Sequence, residues 1–421
     1  MTTGGEDRWC QRGLGRPTIL ERPVGSASSN VLPVGASTAD VDVSMRARVV
    51  EGSSLVDTLS DNWDDLFARV PQTSYSLSRA WQGCFILSGR CGGRPTAITA
   101  WVGERLVSLL TLDFRRRAGL HVAQPVGTGS PGHIGLLADP KYAAHAAEVT
   151  AAACLEQRLF DVLALHDLAS DDDATQQFVR ALVERGMMAH RVPRTVCRRA
   201  HLCGTIDDFL AAHKSAKSRQ TLRRKERQVH KAGAVRIEYL KGSEITSTVL
   251  ERITQVRAAS WMKRRGAKLL DSPFERACLR RLADAHMLRV WFLSLDGDDA
   301  ACIVATVTNG LLEYRYPAFK LAYEHLSVGQ VLLQRSIDDA CREDVLVYDF
   351  GQGDADYKRF WANDCHHIER VFVGRGLLGA AAAMSLALAW RAVRHGRLRR
   401  ALKAVLRKPS TANENTDRER T

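Results

Sequence analysis

The clearest hydrophobic pattern runs from Leu288 to Val373. An alternating apolar run, Leu288–Leu295, meets the turn Asp296-Gly-Asp-Asp299 and is followed by a second run, Ala300–Val307. Asn309-Gly310 marks the next turn, before Leu311–Pro317. Apolar runs of strand length, separated by Asp-Gly and Asn-Gly, predict an antiparallel meander. From Ser327 the period changes: Val331, Leu332, Leu333, Ile337 and Ala340 fall on one helical face. A short buried strand, Val345–Phe350, then ends in Gly351-Gln-Gly353, and a last helix carries Tyr357, Lys358 and Trp361.

The first half repeats part of this pattern more faintly. Leu59, Trp63, Leu66 and Phe67 have helical spacing, as do Trp81, Phe85 and Ile86. Ala97–Leu112 reads as a hairpin turning at Gly103, and it mirrors the Val290–Val307 hairpin. Ala143–Phe160 predicts a helix, Val162–Leu165 a buried strand, and Phe178–Gly186 a helix stopped by its glycine. The expected class is therefore α/β with mixed sheets (α+β), in two packed units. Residues 1–44, without periodicity, read as a disordered leader. The first unit is expected over 45–200, the second over 201–374, and a basic amphipathic tail over 375–421.

Composition adds a net charge of +13, which fits an acidic partner or a generally basic surface. Much of that charge lies between Asp207 and Gly233, where Lys214, Lys217, Arg219, Arg223, Arg224, Lys225, Arg227 and Lys231 share one helical segment. This segment either holds a phosphate-bearing ligand or forms a solvated face. It has no stacking aromatics after Phe209, which argues against nucleic acid. Leu377–Trp390 is apolar over 14 residues and is followed by an arginine-rich stretch. It is too short to span a bilayer, which takes about 18–20 apolar residues. The segment either lies on an anionic membrane surface or packs on the domain. The ten cysteines show no CxxC or Cys/His ligand spacing. They read as reduced thiols of a cytoplasmic protein, peripheral to the membrane at most, with no metal site and no secretory signal.

Three motifs narrow the chemistry: Tyr314 and Tyr316 on a strand, Leu326-Ser-Val-Gly329 opening a helix, and Asp349-Phe-Gly-Gln-Gly353 leading to Tyr357-Lys358. Together they resemble the acyl-CoA-binding half of a GNAT acetyltransferase. More narrowly, they are similar to the CelD/BioF2-like family, which is related to the FemAB peptidyltransferases. The resemblance spans about 46–374. It implies a tandem GNAT-like fold with acetyl-CoA or another acyl-CoA as co-substrate. Ser327, Val328, Gly329 and Gln330 would hold the donor at a helix N-terminus, where free N–H groups favour anions. Tyr316 would line the donor cleft, and Trp261, Tyr314 and Gly353 the acceptor. Ser327 also suits a simple N-cap.

Asp349, His325 and Glu324 are candidate bases, and Tyr357 is a candidate acid. Lys358 would neutralise donor phosphates or orient Asp349, or form only a structural ion pair with it. The loop Gly127–Gly132 with His133 either lines the acceptor cleft or is a plain surface turn. The implied activity moves an acyl group to an amine or hydroxyl of a sugar or of a cell-envelope or exopolysaccharide precursor. The family's pyrophosphate signature, Arg/Gln-x-x-Gly-x-Gly/Ala, is absent. Two alternatives therefore stand beside it: an idle scaffold of a polysaccharide complex, and a FemAB-like transferase using aminoacyl-tRNA.

Overall fold

A computed structural model describes residues 18–21, 44–129, 132–260 and 272–394. The first unit contains β1 (Thr18–Glu21), β2 (Met45–Glu51), α1 (Leu55–Thr58), α2 (Ser60–Arg69), α3 (Arg79–Leu87), β3 (Thr96–Val102), β4 (Arg105–Arg117), β5 (Leu120–Pro125), β6 (Leu137–Ala138), α4 (Ala143–Glu156), β7 (Val162–Ala169), α5 (Asp173–Glu184) and β8 (Met188–His201). The second contains α6 (Ile206–His213), α7 (Ala216–Ala232), β9 (Val235–Lys241), α8 (Ser247–Ala258), α9 (Pro273–Asp284), β10 (Leu288–Leu295), β11 (Asp298–Thr308), β12 (Leu311–Tyr314), β13 (Ala318–Phe319), α10 (Val328–Arg342), β14 (Val347–Gln352), α11 (Asp356–Trp361) and β15 (Asp364–Gly374). A final helix, α12, covers Gly376–Arg394.

The expected meander and hairpins are present. β10, β11 and β12 pair antiparallel in sequence order, as do β3 and β4. Alternation decides which side chains go where. On β11, Ala301, Ile303 and Ala305 enter one core, and Cys302 and Val304 enter the core on the opposite face. α10 covers the first face through Val331, Leu332, Leu333 and Ile337, while Val249, Leu250 and Ile253 of α8 and Leu279 and Leu282 of α9 cover the second.

The repeat extends beyond the hairpins. In each unit a helix connects the meander to a strand lying parallel to the meander's last strand: β7 beside β5, with Val122 opposite Val162, and β14 beside β12, with Leu311 opposite Val347. A second helix and a long closing strand follow. The closing strands change places. β8 of the first unit pairs with β14 of the second, β15 of the second pairs with β7 of the first, and β8 and β15 pair with each other. One continuous mixed sheet results. The expected division after residue 200 falls at the end of β8, and the sheet runs on across it.

Both ends of the chain carry described structure. Within the leader, Thr18–Glu21 form a strand paired with β2. α12 packs on the domain: Ala383 and Ala387 are buried with Phe372 and Val162, and the Arg370 guanidinium sits 3.6 Å over the Trp390 ring. Trp390 therefore meets protein, while Leu377 and Leu378 of the same helix are 90% and 77% exposed. No helix among the described residues is long and apolar enough to cross a membrane.

Strand exchange leads to a direct prediction. A fragment ending at residue 203 lacks β15 and β14, so β7 and β8 keep unpaired edges. Expressed alone, it is expected to aggregate or to lack a cooperative thermal transition, and co-expression with residues 204–394 should restore one. A soluble, cooperatively melting N-terminal monomer would show that the units are separable.

Candidate active site

β12 and β14 run in parallel only as far as the pair Glu313–Asp349. Beyond it the chain of β12 turns away through Pro317 to β13, which pairs with β11. Two cavities open where the strands part. One, of about 360 Å³, is lined by His133, Arg194, Cys197, Glu313, Asp349 and Lys358 among others. Its neighbour, of about 290 Å³, lies between β11, β13 and the start of α10. Tyr314, Pro317 and Tyr357 line both and form the wall between them.

The second cavity gathers the residues expected at the helix N-terminus: Ser327, Val328, Gly329 and Gln330 all line it. Ser327 is not a side-chain cap. Its backbone is left-handed (φ 62°), its hydroxyl caps nothing, and its carbonyl accepts from the Gln330 and Val331 amides. Gly329 has a packing reason: a Cβ there would stand 3.1 Å from the Phe319 ring. The basic helix α7 reaches this point, because Lys225 donates to the Gln330 side-chain carbonyl and Gln228 donates to the His325 carbonyl (3.2 Å). Lys217, Arg223, Arg224, Arg227 and Lys231 of α7 are exposed, and none is ion-paired among the described residues.

In the first cavity Asp349 is 1% exposed and heavily bonded. One carboxylate oxygen accepts from the Gly351 amide (2.6 Å), the other from Arg199 Nε of β8 (3.0 Å), and His133 Nε2 lies 3.5 Å from the latter. Burial works against this charge, but His133 and Arg199 outweigh it and hold the carboxyl well below the usual range. Such a group is a weak proton acceptor at neutral pH. Of the alternatives for Lys358, an ion pair with Asp349 does not form. Lys358 Nζ instead donates to the Gly351 (3.1 Å) and Gln352 (2.6 Å) carbonyls, and burial lowers its pKa.

The sequence reading missed Glu313. It is 5% exposed, accepts from Ser74 Oγ (2.9 Å) and from the Tyr75 amide (3.1 Å), and faces the cavity. Burial pushes its carboxyl up to about 7; the His133 charge pulls it down and the Asp349 charge pushes it up. A carboxyl poised near neutrality can both take and return a proton. Its one signal in the sequence is an acid inside the apolar strand Leu311-Leu-Glu-Tyr314. Tyr357, on the dividing wall, is held up to about 12 by burial, so it stays a phenol able to donate a proton.

The remaining expected residues divide. Tyr314 lies on the wall and lines both cavities. Tyr316 is 7% exposed and packs in the core on the α8 side of the sheet, under Arg257 and Arg315, so it lines neither cavity. His325 is exposed and outside both cavities, and Glu324 lines the second. Gly353 donates its amide to the Val196 carbonyl beside the first cavity. Trp261 lies outside the described residues. The glycine-rich loop does line the first cavity, through Gly129, Gly132 and His133. A Cβ on Gly132, at φ +141°, would come within 2.7 Å of Ser76.

Known proteins show the same architecture. Residues 216–359 match the family described as Acetyltransferase (GNAT) domain. No curated protein matches the chain by sequence. Among solved structures, FemX aligns with a TM-score of 0.55 at 10% identity, covering 74% of this chain and 95% of that one. The C-terminal domain of a proposed lysylphosphatidylglycerol synthetase from Agrobacterium fabrum aligns with a TM-score of 0.50 at 13% identity, covering 79% of this chain and 95% of that one. At these identities the likeness establishes the fold. Residues 216–359, which include both parting strands, thus match a GNAT acetyltransferase domain, and the fold of the whole chain is shared with these structures.

Proposed function

We propose that this chain transfers an acyl group from a thioester donor in the cavity at the start of α10 to an amine or hydroxyl acceptor in the adjoining cavity. The observation that carries this reading is the shared wall. Tyr314, Pro317 and Tyr357 separate a helix N-terminus suited to an anionic donor from a cavity holding a buried carboxyl near neutrality. A reacting thioester at that wall would have Glu313 on the acceptor side and Tyr357 beside the departing sulfur. Glu313 takes the proton from the acceptor as it attacks the thioester carbonyl, and the Tyr357 hydroxyl protonates the thiolate as the carbon–sulfur bond breaks. Asp349 and Lys358 then act by position: Asp349 fixes Arg199 and the Gly351 turn, and Lys358 ties the end of β14.

A fold neighbour named for lysylphosphatidylglycerol synthesis makes a cell-envelope acceptor the first choice, with sugar and exopolysaccharide precursors in the same group. α12 fits this setting, since its exposed Leu377 and Leu378 lie beside Arg375. One observation favours a second donor. α7 reaches the donor cavity through Lys225, and the exposed cations elsewhere on the helix suit an aminoacyl-tRNA as well as the phosphates of an acyl-CoA.

Three outcomes are expected. First, Glu313→Gln should lower turnover by about 10²–10⁴, the usual share of a general base, and wild-type kcat/KM should rise with pH to a plateau above about 7. The stability effect has the opposite sense. The unfolded carboxyl ionises near 4.5 and the native one near 7, so the native state binds more protons between them and wild type loses stability as pH rises through that window. Glu313→Gln lacks this loss and should melt no lower than wild type at pH 8. Activity retained in the variant would remove Glu313 from the chemistry.

Second, an acyl-CoA panel read by thiol release should give turnover that is little changed between 50 and 200 mM salt. Turnover only with aminoacyl-tRNA, falling steeply over that range, would select the second donor. Third, Leu377→Ser with Leu378→Ser should reduce co-sedimentation with anionic vesicles at unchanged melting temperature. Equal sedimentation would leave α12 without a membrane role.

A further inference from the structure

A cluster in the wall of the first cavity, built on His133, Cys197 and Asp349 of its lining, is not used as a group by the acyl transfer proposed above. His366 of β15 is 4% exposed, and neither of its ring nitrogens has a hydrogen-bond partner. His133 Nδ1 is also buried and unpartnered. Buried polar atoms are almost always paired, because an unpaired one gives up its hydration for nothing. Cys197 of β8, fully buried, and Asp349 of β14, 1% exposed, face the same point. One donor atom from each of the four residues lies within 4.8 Å of every other. The two imidazole rings meet at 64° with centroids 5.2 Å apart, so they approach edge to face and do not stack.

We infer that His133, Cys197, Asp349 and His366 form a binding site for a divalent transition-metal ion, zinc by preference. Two imidazoles, a thiolate and a carboxylate are a donor set that tetrahedral zinc accepts. Around zinc, with bonds of about 2.0–2.3 Å, donors stand roughly 3.3–3.8 Å apart. The observed spread closes to this by side-chain rotations of about an ångström. Binding would release the Cys197 proton and give the orphaned His366 ring a partner.

Among the described residues Arg199 is the one Lys or Arg bonded to a ligand of the cluster, through Asp349; its own charge is shared with Asp171. It would orient the carboxylate from outside the ion's shell. With four protein ligands the site is closed. Its effect is mechanical: it clamps the glycine-rich loop, through His133, to β14 and to β8 and β15, the two strands that the units exchange. Ligand spacing along the sequence indicates no metal site, because the four residues come from four distant segments and only the strand exchange brings them together.

The test uses the full chain and metal itself. Stripped with a chelator and titrated with Co²⁺, the protein is expected to take up one ion. It should show a thiolate-to-cobalt band in the near ultraviolet and visible bands of tetrahedral strength. Zn²⁺ should displace the cobalt and raise the melting temperature, and the chelator should lower it. Cys197→Ser should lose the near-ultraviolet band and His366→Ala should weaken binding, while Cys365→Ser, an exposed neighbour, should change neither. Absence of stoichiometric uptake and of any melting shift in the unaltered chain would overturn the proposal without reliance on variants. So would uptake that persists unchanged in both Cys197→Ser and His366→Ala.

Discussion

The whole arrangement depends on the exchange of β8 and β15. Each strand closes its own unit by pairing inside the other, and the two pair with each other along β15 from Asp364 to Gly374. Without that ladder β7 and β14 would both be sheet edges. With it, a side chain on the first unit's last strand can reach the centre of the second: Arg199 leaves β8 and meets Asp349 on β14. The first unit also sends Ser74 and Tyr75 to Glu313. The site is thus built from both halves, although the acetyltransferase match covers only 216–359.

Within that frame, two carboxyls on neighbouring strands face each other in register and are driven in opposite directions. Asp349 has a guanidinium and an imidazole against it and stays ionised. Glu313 has two neutral donors, Ser74 and the Tyr75 amide, and burial with no cation bonded to it, so its neutral form is favoured until about pH 7. Environments that separate two titratable groups in this way commonly mark acid–base assignments. Position alone favoured Asp349, the residue at the strand end beside two glycines. Its partners give it a fixed charge, and the proton-transferring character passes to Glu313.

This difference explains what was legible in the sequence. Periodicity located the meander, the Gly103 hairpin and α10, because local alternation and turn residues report local structure. The Ser327–Gln330 segment and Tyr357 were legible for the same reason: each sits in a short motif with a strand or helix on either side. Pairing between distant strands leaves no local trace. Arg199, Cys197 and His366 lie on β8 and β15, whose register is set by the exchange, and nothing adjacent to them in sequence signals a shared point. Glu313 was visible only as an acid in an apolar strand. Of the two readings left open for the Leu377–Trp390 segment, packing could not be chosen locally, because the Arg370 partner of Trp390 lies on β15.

In the proposed reaction, donor and acceptor meet at the wall formed by Tyr314, Pro317 and Tyr357. A crystal structure of the chain with coenzyme A tests it most directly. The account predicts the pyrophosphate on the backbone amides at the start of α10, between Ser327 and Gln330, with the pantetheine running past Pro317–Phe319 and its sulfur ending beside Tyr357. Coenzyme A bound away from this cavity, or with its sulfur turned away from Tyr357, would contradict it.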